Sequence, residues 1–256
     1  MSKKTRHKKR GNFEVHEGSR TNNKTSNVVK TDKSDWHPLD DEINGRRDQK
    51  YVKNIKPRSE GQAELMKAIK EYALTFAVGP AGTGKTYIAV ASAVEALEQG
   101  KIERIILSRP AMEAGESLGF LPGDMEEKMA PYLRPLFDAL GDRLGGKRVR
   151  QYMQDGTIEI APVGFMRGRT LNNSFIVIDE AQNCTYGQLK MLLSRLGWHS
   201  TMVVTGDPDQ SDLLDGMSGL SQVCDKVETV ENIAVCRLGQ VDIVRHPLVA
   251  EMLEVL

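Results

Sequence analysis

Residues 79–86 read Gly79-Pro80-Ala81-Gly82-Thr83-Gly84-Lys85-Thr86, a full match to the pattern G-x-x-x-x-G-K-[ST]. No other stretch constrains the fold as much, because this loop works only at the junction between a strand and a helix. Its glycines let successive backbone N–H groups converge on an anion with no Cβ in the way. The helix that follows adds partial positive charge at its N-terminus. The flanking text supplies that context, with an apolar run over 73–78 and a helical pattern over 85–99. In such a loop Lys85 reaches the β- and γ-phosphates of a nucleotide such as ATP. The Thr86 hydroxyl is a ligand for Mg²⁺, which keeps waters at other positions.

The rest of residues 57–256 alternates short apolar runs with helical spacing. The expected strands are 73–78, 104–108, 157–160, 174–178, 201–205 and 231–236. The expected helices are 59–71, 85–99, 125–143, 147–154, 185–196, 217–226 and 246–255. Most of the strands are continuous apolar runs, as required of parallel strands covered on both faces. The alternation predicts an α/β fold with a mainly parallel sheet. Residues 113–138, with mixed charge and several prolines and glycines, read as an insertion between strands, either a subunit contact or a nucleic-acid loop.

Two further motifs fit the same chemistry. The apolar run 174–178 ends in Asp179-Glu180. Asp179 is expected to hold Mg²⁺, and Glu180 to orient and deprotonate an attacking water. The run 201–205 ends in Thr205-Gly206-Asp207-Pro208-Asp209-Gln210. Gln210 is the candidate sensor there, because a neutral amide can donate to phosphate and accept from water.

With these residues in place the chain resembles the PhoH-type ATPases. The matching text comprises Gly79–Thr86, Ser108–Glu116, Leu118–Asp124, Pro131–Leu136, Arg167–Thr170, Asp179–Asn183, Thr205–Asp207 with Gln210, and Val244–Pro247. That family is similar to the first motor lobe of superfamily 1 helicases, so the resemblance implies a P-loop NTPase with a RecA-like core and helices on both faces. It implies that Gln62 reads adenine, that Asp179–Gln182 is the acidic motif, and that Gly206, Asp207 and Gln210 sense the γ-phosphate. It also implies a ring-shaped homo-oligomer, favouring a hexamer, and single-stranded RNA or DNA as partner. A neighbouring subunit would then supply an arginine that a helicase takes from its second lobe. Arg245 in Val244-Arg245-His246-Pro247 is the first candidate, followed by Arg109, Arg167 and Arg169.

Formal charge is zero, with 35 basic and 35 acidic residues, yet residues 1–34 hold ten basic side chains against three acidic ones. Residues 1–55 are therefore expected to be a basic, unstructured tail, and 56–256 the ATPase domain. The tail reads either as a solvated extension or as an electrostatic arm for nucleic acid. It lacks the carboxylate cluster of a nuclease. No apolar run is long enough to span a membrane, and the basic N-terminus is not followed by a signal-peptide core. Cys184, Cys224 and Cys236 show no metal-ligand spacing, which fits a reducing cytoplasm. The leading expectation is an Mg²⁺-dependent ATPase working on RNA or DNA. The alternative is a regulatory switch or assembly protein in which nucleotide sets the oligomeric state and no strand is moved.

Overall fold

The computed structural model describes residues 55–110, 125–214 and 216–244. Six strands form one all-parallel sheet: β1 Leu74–Val78, β2 Arg104–Arg109, β3 Ile158–Pro162, β4 Ser174–Ile178, β5 Thr201–Gly206 and β6 Ile233–Arg237. Their spatial order is β3-β2-β4-β5-β1-β6. The helices are α1 Glu60–Glu71, α2 Lys85–Glu98, α3 Met125–Leu144, α4 Gly146–Gln154, α5 Tyr186–Leu193 and α6 Leu220–Val227.

Period-two alternation along the strands sorts their side chains into two cores, one on each face of the sheet. Ala77, Ile105, Leu107, Phe175, Val177 and Val203 pack with residues of α1 to α4. Phe76, Val78, Ile106, Ile176, Ile178, Met202 and Val204 pack with α5 and α6. Each fully buried aliphatic side chain contributes about 1.5–3 kcal/mol, so these runs dominate the stability of the sheet. α2 is buried from Ile88 to Val94 without a break. A helix apolar all round is a core helix, and it anchors the loop that precedes it.

The expected elements within the described residues are present, with shifts at their ends. β6 starts at Ile233 rather than 231, because Asn232 turns the chain at φ 68°. α6 starts at Leu220 rather than 217, and Ser218 instead bridges to Thr185. α5 ends at Leu193 rather than 196, and Leu196 instead bridges to Leu171. The expected helix 246–255 and the tail lie outside the described residues, as does most of the first half of the 113–138 insertion. Its second half belongs to α3.

The segment after β6 runs back along the phosphate loop. Leu238 N–H donates to Val78 O at 2.8 Å, and Val244 N–H donates to Gly82 O at 3.0 Å. Between them Asp242 is buried and accepts from Gly239 N–H at 2.8 Å and Gly61 N–H at 3.2 Å. A hydrogen bond from the Ser59 side chain, then the one from Gly239, holds its carboxyl below the usual aspartate range. Asp242 thus fastens this segment to the first turn of α1. Asp242→Ala is expected to remove about 1–2 kcal/mol and lower the melting temperature by roughly 2–8 °C at neutral pH. Because the folded pKa is depressed, the contribution exists above the ordinary value near about 4. It is lost as pH falls through the depressed pKa. Melting curves of the two proteins should therefore converge in acid, and a gap that persists there would rule out the carboxylate as its source.

Candidate active site

The phosphate loop leaves β1 at its C-terminal end. Gly79 has φ +142°, and a Cβ there would lie 2.2 Å from Leu238 O, so no other residue fits. Gly82 and Gly84 are left-handed at φ 85° and 81°. Ser59 and Thr185 cap α1 and α5 through their side chains, but Gly84 gives α2 no side-chain cap. The first-turn N–H groups of α2 are left to an anion. Lys85 folds over the loop, its Nζ donating to Gly79 O at 2.6 Å and Pro80 O at 2.8 Å, with Thr83 Oγ1 at 3.4 Å. Burial lowers its pKa, opposed by the nearby carboxylates of Asp207, Glu180 and Asp179. An ammonium held on carbonyls in a partly dry loop is poised to exchange them for phosphate oxygens.

β5 lies between β1 and β4, so three strand tips meet here. Asp179, only 2% exposed, accepts on Oδ1 from Thr86 Oγ1 at 2.6 Å and Thr205 Oγ1 at 2.7 Å. Its N–H donates to Ser108 O at 2.8 Å, which ties the strand tip to β2. Thr86 and Asp179 together offer hard oxygen donors at one point, the donor chemistry Mg²⁺ takes. No group of three or more His, Cys, Asp or Glu among the described residues could hold a metal. A magnesium ion here would thus draw its other ligands from water and phosphate, as this ion ordinarily does.

Glu180 follows in a left-handed conformation at φ 54°. Such a backbone costs of order 1 kcal/mol in a non-glycine residue and turns the side chain away from the strand line. Gln182 Nε2 donates to Glu180 Oε2 at 2.5 Å, while Gln182 Oε1 accepts from Asp207 N–H at 3.0 Å. One buried amide therefore locks the tip of β4 to the tip of β5. From β2, Arg109 places NH1 3.6 Å from Asp179 Oδ2 and NH2 3.4 Å from Glu180 Oε1.

Lys85, Thr86, Asp179, Glu180, Asp207 and Gln210 line one cleft of about 430 Å³, with Ala81, Gly82 and Gly84 on its loop side. That volume is within the ordinary range for small-molecule sites. Pro80 and Thr83 sit beneath, where Thr83 Oγ1 donates to Pro80 O at 2.9 Å. Gln62 is 6% exposed behind the loop, its Nε2 donating to Thr83 O at 3.0 Å and its Oε1 accepting from Arg58 N–H at 2.9 Å. Among the arginines named from sequence, Arg109 faces the carboxylates. Arg169 is bound to Glu159 by two hydrogen bonds of 2.5 and 2.7 Å, and Arg167 is exposed. Arg245 lies outside the described residues.

Sequence reasoning misses four features. Thr205 holds Asp179, and its signal is a hydroxyl near the end of an otherwise apolar buried run. Gln182 belongs to a motif, but no local pattern gives it a contact. Arg109 reads equally as a nucleic-acid contact or as an ion pair; it forms ion pairs, but with Asp179 and Glu180, partners that no spacing names. α3 lends Pro135, Asp138, Ala139 and Asp142 to the cleft wall, which no local pattern indicates. The three thiols are free, and burial pushes Cys184 up to about 12 and Cys224 to about 11, so neither is a nucleophile at neutral pH.

A phosphate loop on β1, an aspartate–glutamate pair on β4 and a polar tip on the intervening β5 define a P-loop NTPase fold of RecA-like architecture. The chain belongs to the PhoH-like protein family, whose family model matches residues 54–256. A PhoH-like protein of Bacillus subtilis (strain 168) is 53% identical over 203 residues, covering 79% of this chain and 64% of that protein. Protein PhoH of Escherichia coli (strain K12) is 46% identical over 205 residues, covering 79% of this chain and 58% of that protein. The chain thus spans about 58–64% of the length of these two relatives. Among solved structures, the large terminase of a thermophilic bacteriophage matches with a TM-score of 0.49 at 10% identity, covering 78% of this chain and 50% of that one. No helix among the described residues is long and apolar enough to cross a membrane.

Proposed function

We propose that the chain binds ATP with Mg²⁺ and hydrolyses it by in-line attack of water on the γ-phosphate. The observation that carries this reading is the 2.6 Å contact between Thr86 and Asp179, which joins the phosphate loop to the acidic strand tip. Thr86 and Asp179 would hold Mg²⁺ there, and the ion would supply positive charge against that of the phosphates. Lys85 offsets further charge, Glu180 orients and deprotonates the water, and Gln210 contacts the γ-phosphate or that water. Gln62 would read adenine with its second amide hydrogen and the free lone pair of Oε1. An arginine from a neighbouring subunit, Arg245 first, would meet the charge that develops on the γ-phosphate.

Hydrolysis is coupled, in this reading, to single-stranded RNA or DNA within a ring-shaped homo-oligomer in the cytoplasm, a hexamer by family likeness. Residues 1–55 act as a basic arm on an ATPase domain of 56–256. The decisive assay measures ATP turnover with and without single-stranded RNA and DNA, together with the mass of the particle. Stimulation and a ring mass are expected. No stimulation and no binding at low salt would favour the nucleotide-set switch instead. Deleting residues 1–50 is expected to weaken nucleic-acid binding and flatten its salt dependence. An unchanged slope would make the arm a bystander.

A further inference from the structure

Both carboxylate oxygens of Glu180 are engaged, Oε2 by Gln182 at 2.5 Å and Oε1 by Arg109 at 3.4 Å. Each oxygen keeps a lone pair, but the two contacts together fix where the carboxylate points. The two restraints differ in firmness. Gln182 is 2% exposed and its other end is fixed to Asp207 N–H. The Arg109 contacts, at 3.4 and 3.6 Å, are longer than a tight charge-assisted hydrogen bond of about 2.7–2.9 Å. Arg109 is therefore the side that opens.

We propose that Arg109 is a positioning residue that holds Glu180 away from the attacking water until a phosphodiester of single-stranded nucleic acid draws its guanidinium off. The inference rests on the hydrolytic role given to Glu180 above. Arg109 is the last residue of β2 and is paired in register with Pro162, the last of β3. Directly after Pro162 come Phe165, 63% exposed, and the exposed Arg167. An uncovered aromatic and an uncovered guanidinium on one short turn are the two groups a single strand uses, a stacking face and a phosphate contact. A strand bound at this edge lies beside the residue that restrains Glu180. The planar fork of arginine matches a phosphate in two bonds, so a phosphodiester competes on equal terms with the two long carboxylate contacts. The γ-phosphate of ATP is a weaker candidate for the trigger. It is present in every turnover and would leave no resting restraint to relieve.

The test uses the full chain as wild type, Arg109→Gln, Arg109→Lys and Glu180→Gln. It measures kcat and KM for ATP with and without a single-stranded oligonucleotide of uridine or thymidine. Arg109→Gln is expected to raise basal kcat by about three- to tenfold, leave KM within about twofold, and abolish stimulation. A merely structural role would lower kcat and give no such split. Arg109→Lys keeps the charge without the fork, and its basal rate should fall between the two. It carries the same test if Arg109→Gln does not fold. Basal rates at or below wild type in both variants overturn the restraint while hydrolysis by Glu180 stands. A faster Arg109→Gln beside an unstimulated wild type overturns the nucleic-acid trigger. Equal turnover in Glu180→Gln and wild type overturns the hydrolytic reading and the restraint with it.

Discussion

Glu180→Gln is expected to slow ATP hydrolysis by about 10²- to 10⁴-fold, the usual contribution of a positioned general base, with nucleotide affinity nearly unchanged. The substitution is close to isosteric. An amide oxygen can still accept from Gln182 Nε2, so the bridge to Asp207 and the tip of β5 survives. What disappears is the capacity to take a proton from water. The groups expected to grip the nucleotide, Lys85, Thr86 and Asp179, are untouched, so binding should persist and the variant should accumulate bound ATP. Phosphate release and a direct nucleotide-binding titration separate the two effects. Normal turnover in this variant would remove Glu180 from the mechanism, and lost binding would move its role from chemistry to the ground state.

Lys85→Ala should divide function from stability in the opposite sense. The ammonium is expected to trade its contacts with Gly79 O, Pro80 O and Thr83 Oγ1 for phosphate oxygens. Charge-assisted contacts of that kind are worth about 1.5–3 kcal/mol, so ATP affinity should fall by roughly 10- to 100-fold, with turnover reduced further. The apo protein should melt no lower than wild type. Burial lowers the Lys85 pKa despite three neighbouring carboxylates. A base with a folded pKa below its ordinary value near about 10.4 makes the protonated form a net cost to folding at every pH below that depressed value. The cost fades as pH rises between the two values. Removing the side chain relieves it at neutral pH. A melting temperature well below wild type would show that Lys85 braces the loop and does not merely wait there for phosphate.

The legible part of the fold lies where local pattern and tertiary role coincide. The runs 174–178 and 201–205 read as buried strands because each is apolar on both alternations, and a two-faced core makes the same demand. The phosphate loop is legible for a similar reason. Gly79, Gly82 and Gly84 answer backbone requirements within one turn, and Lys85 and Thr86 follow at the helix start. Element ends are less legible. α6 begins only at Leu220, since Ser218 is paired with Thr185, distant in sequence, and no local pattern announces that bridge.

The site divides along the same line. Gln210 and Asp179 stand out as polar residues at the ends of apolar runs. Gln62 comes through family likeness, and its placement behind Thr83 follows from the packing of α1 under the loop. Arg109 shows the limit most clearly. From sequence it is a basic residue beside a proline, with nucleic-acid contact and a structural or surface ion pair as equal readings. Its contacts with Asp179 and Glu180 arise because β2 and β4 are paired neighbours, with Ser108 in register with Ile178.

By itself the sequence determined the α/β class, the phosphate loop, the acidic pair and the family, since each is written in residues a few positions apart. Only the tertiary structure decided which tips are neighbours. It set β5 between β1 and β4, turned Gln182 into the bridge between two strand ends, brought α3 to the cleft wall and laid Val244 on Gly82. Periodicity reports which face of an element is buried. It carries no information about which other element does the burying, and that choice is made by the packing of the whole sheet.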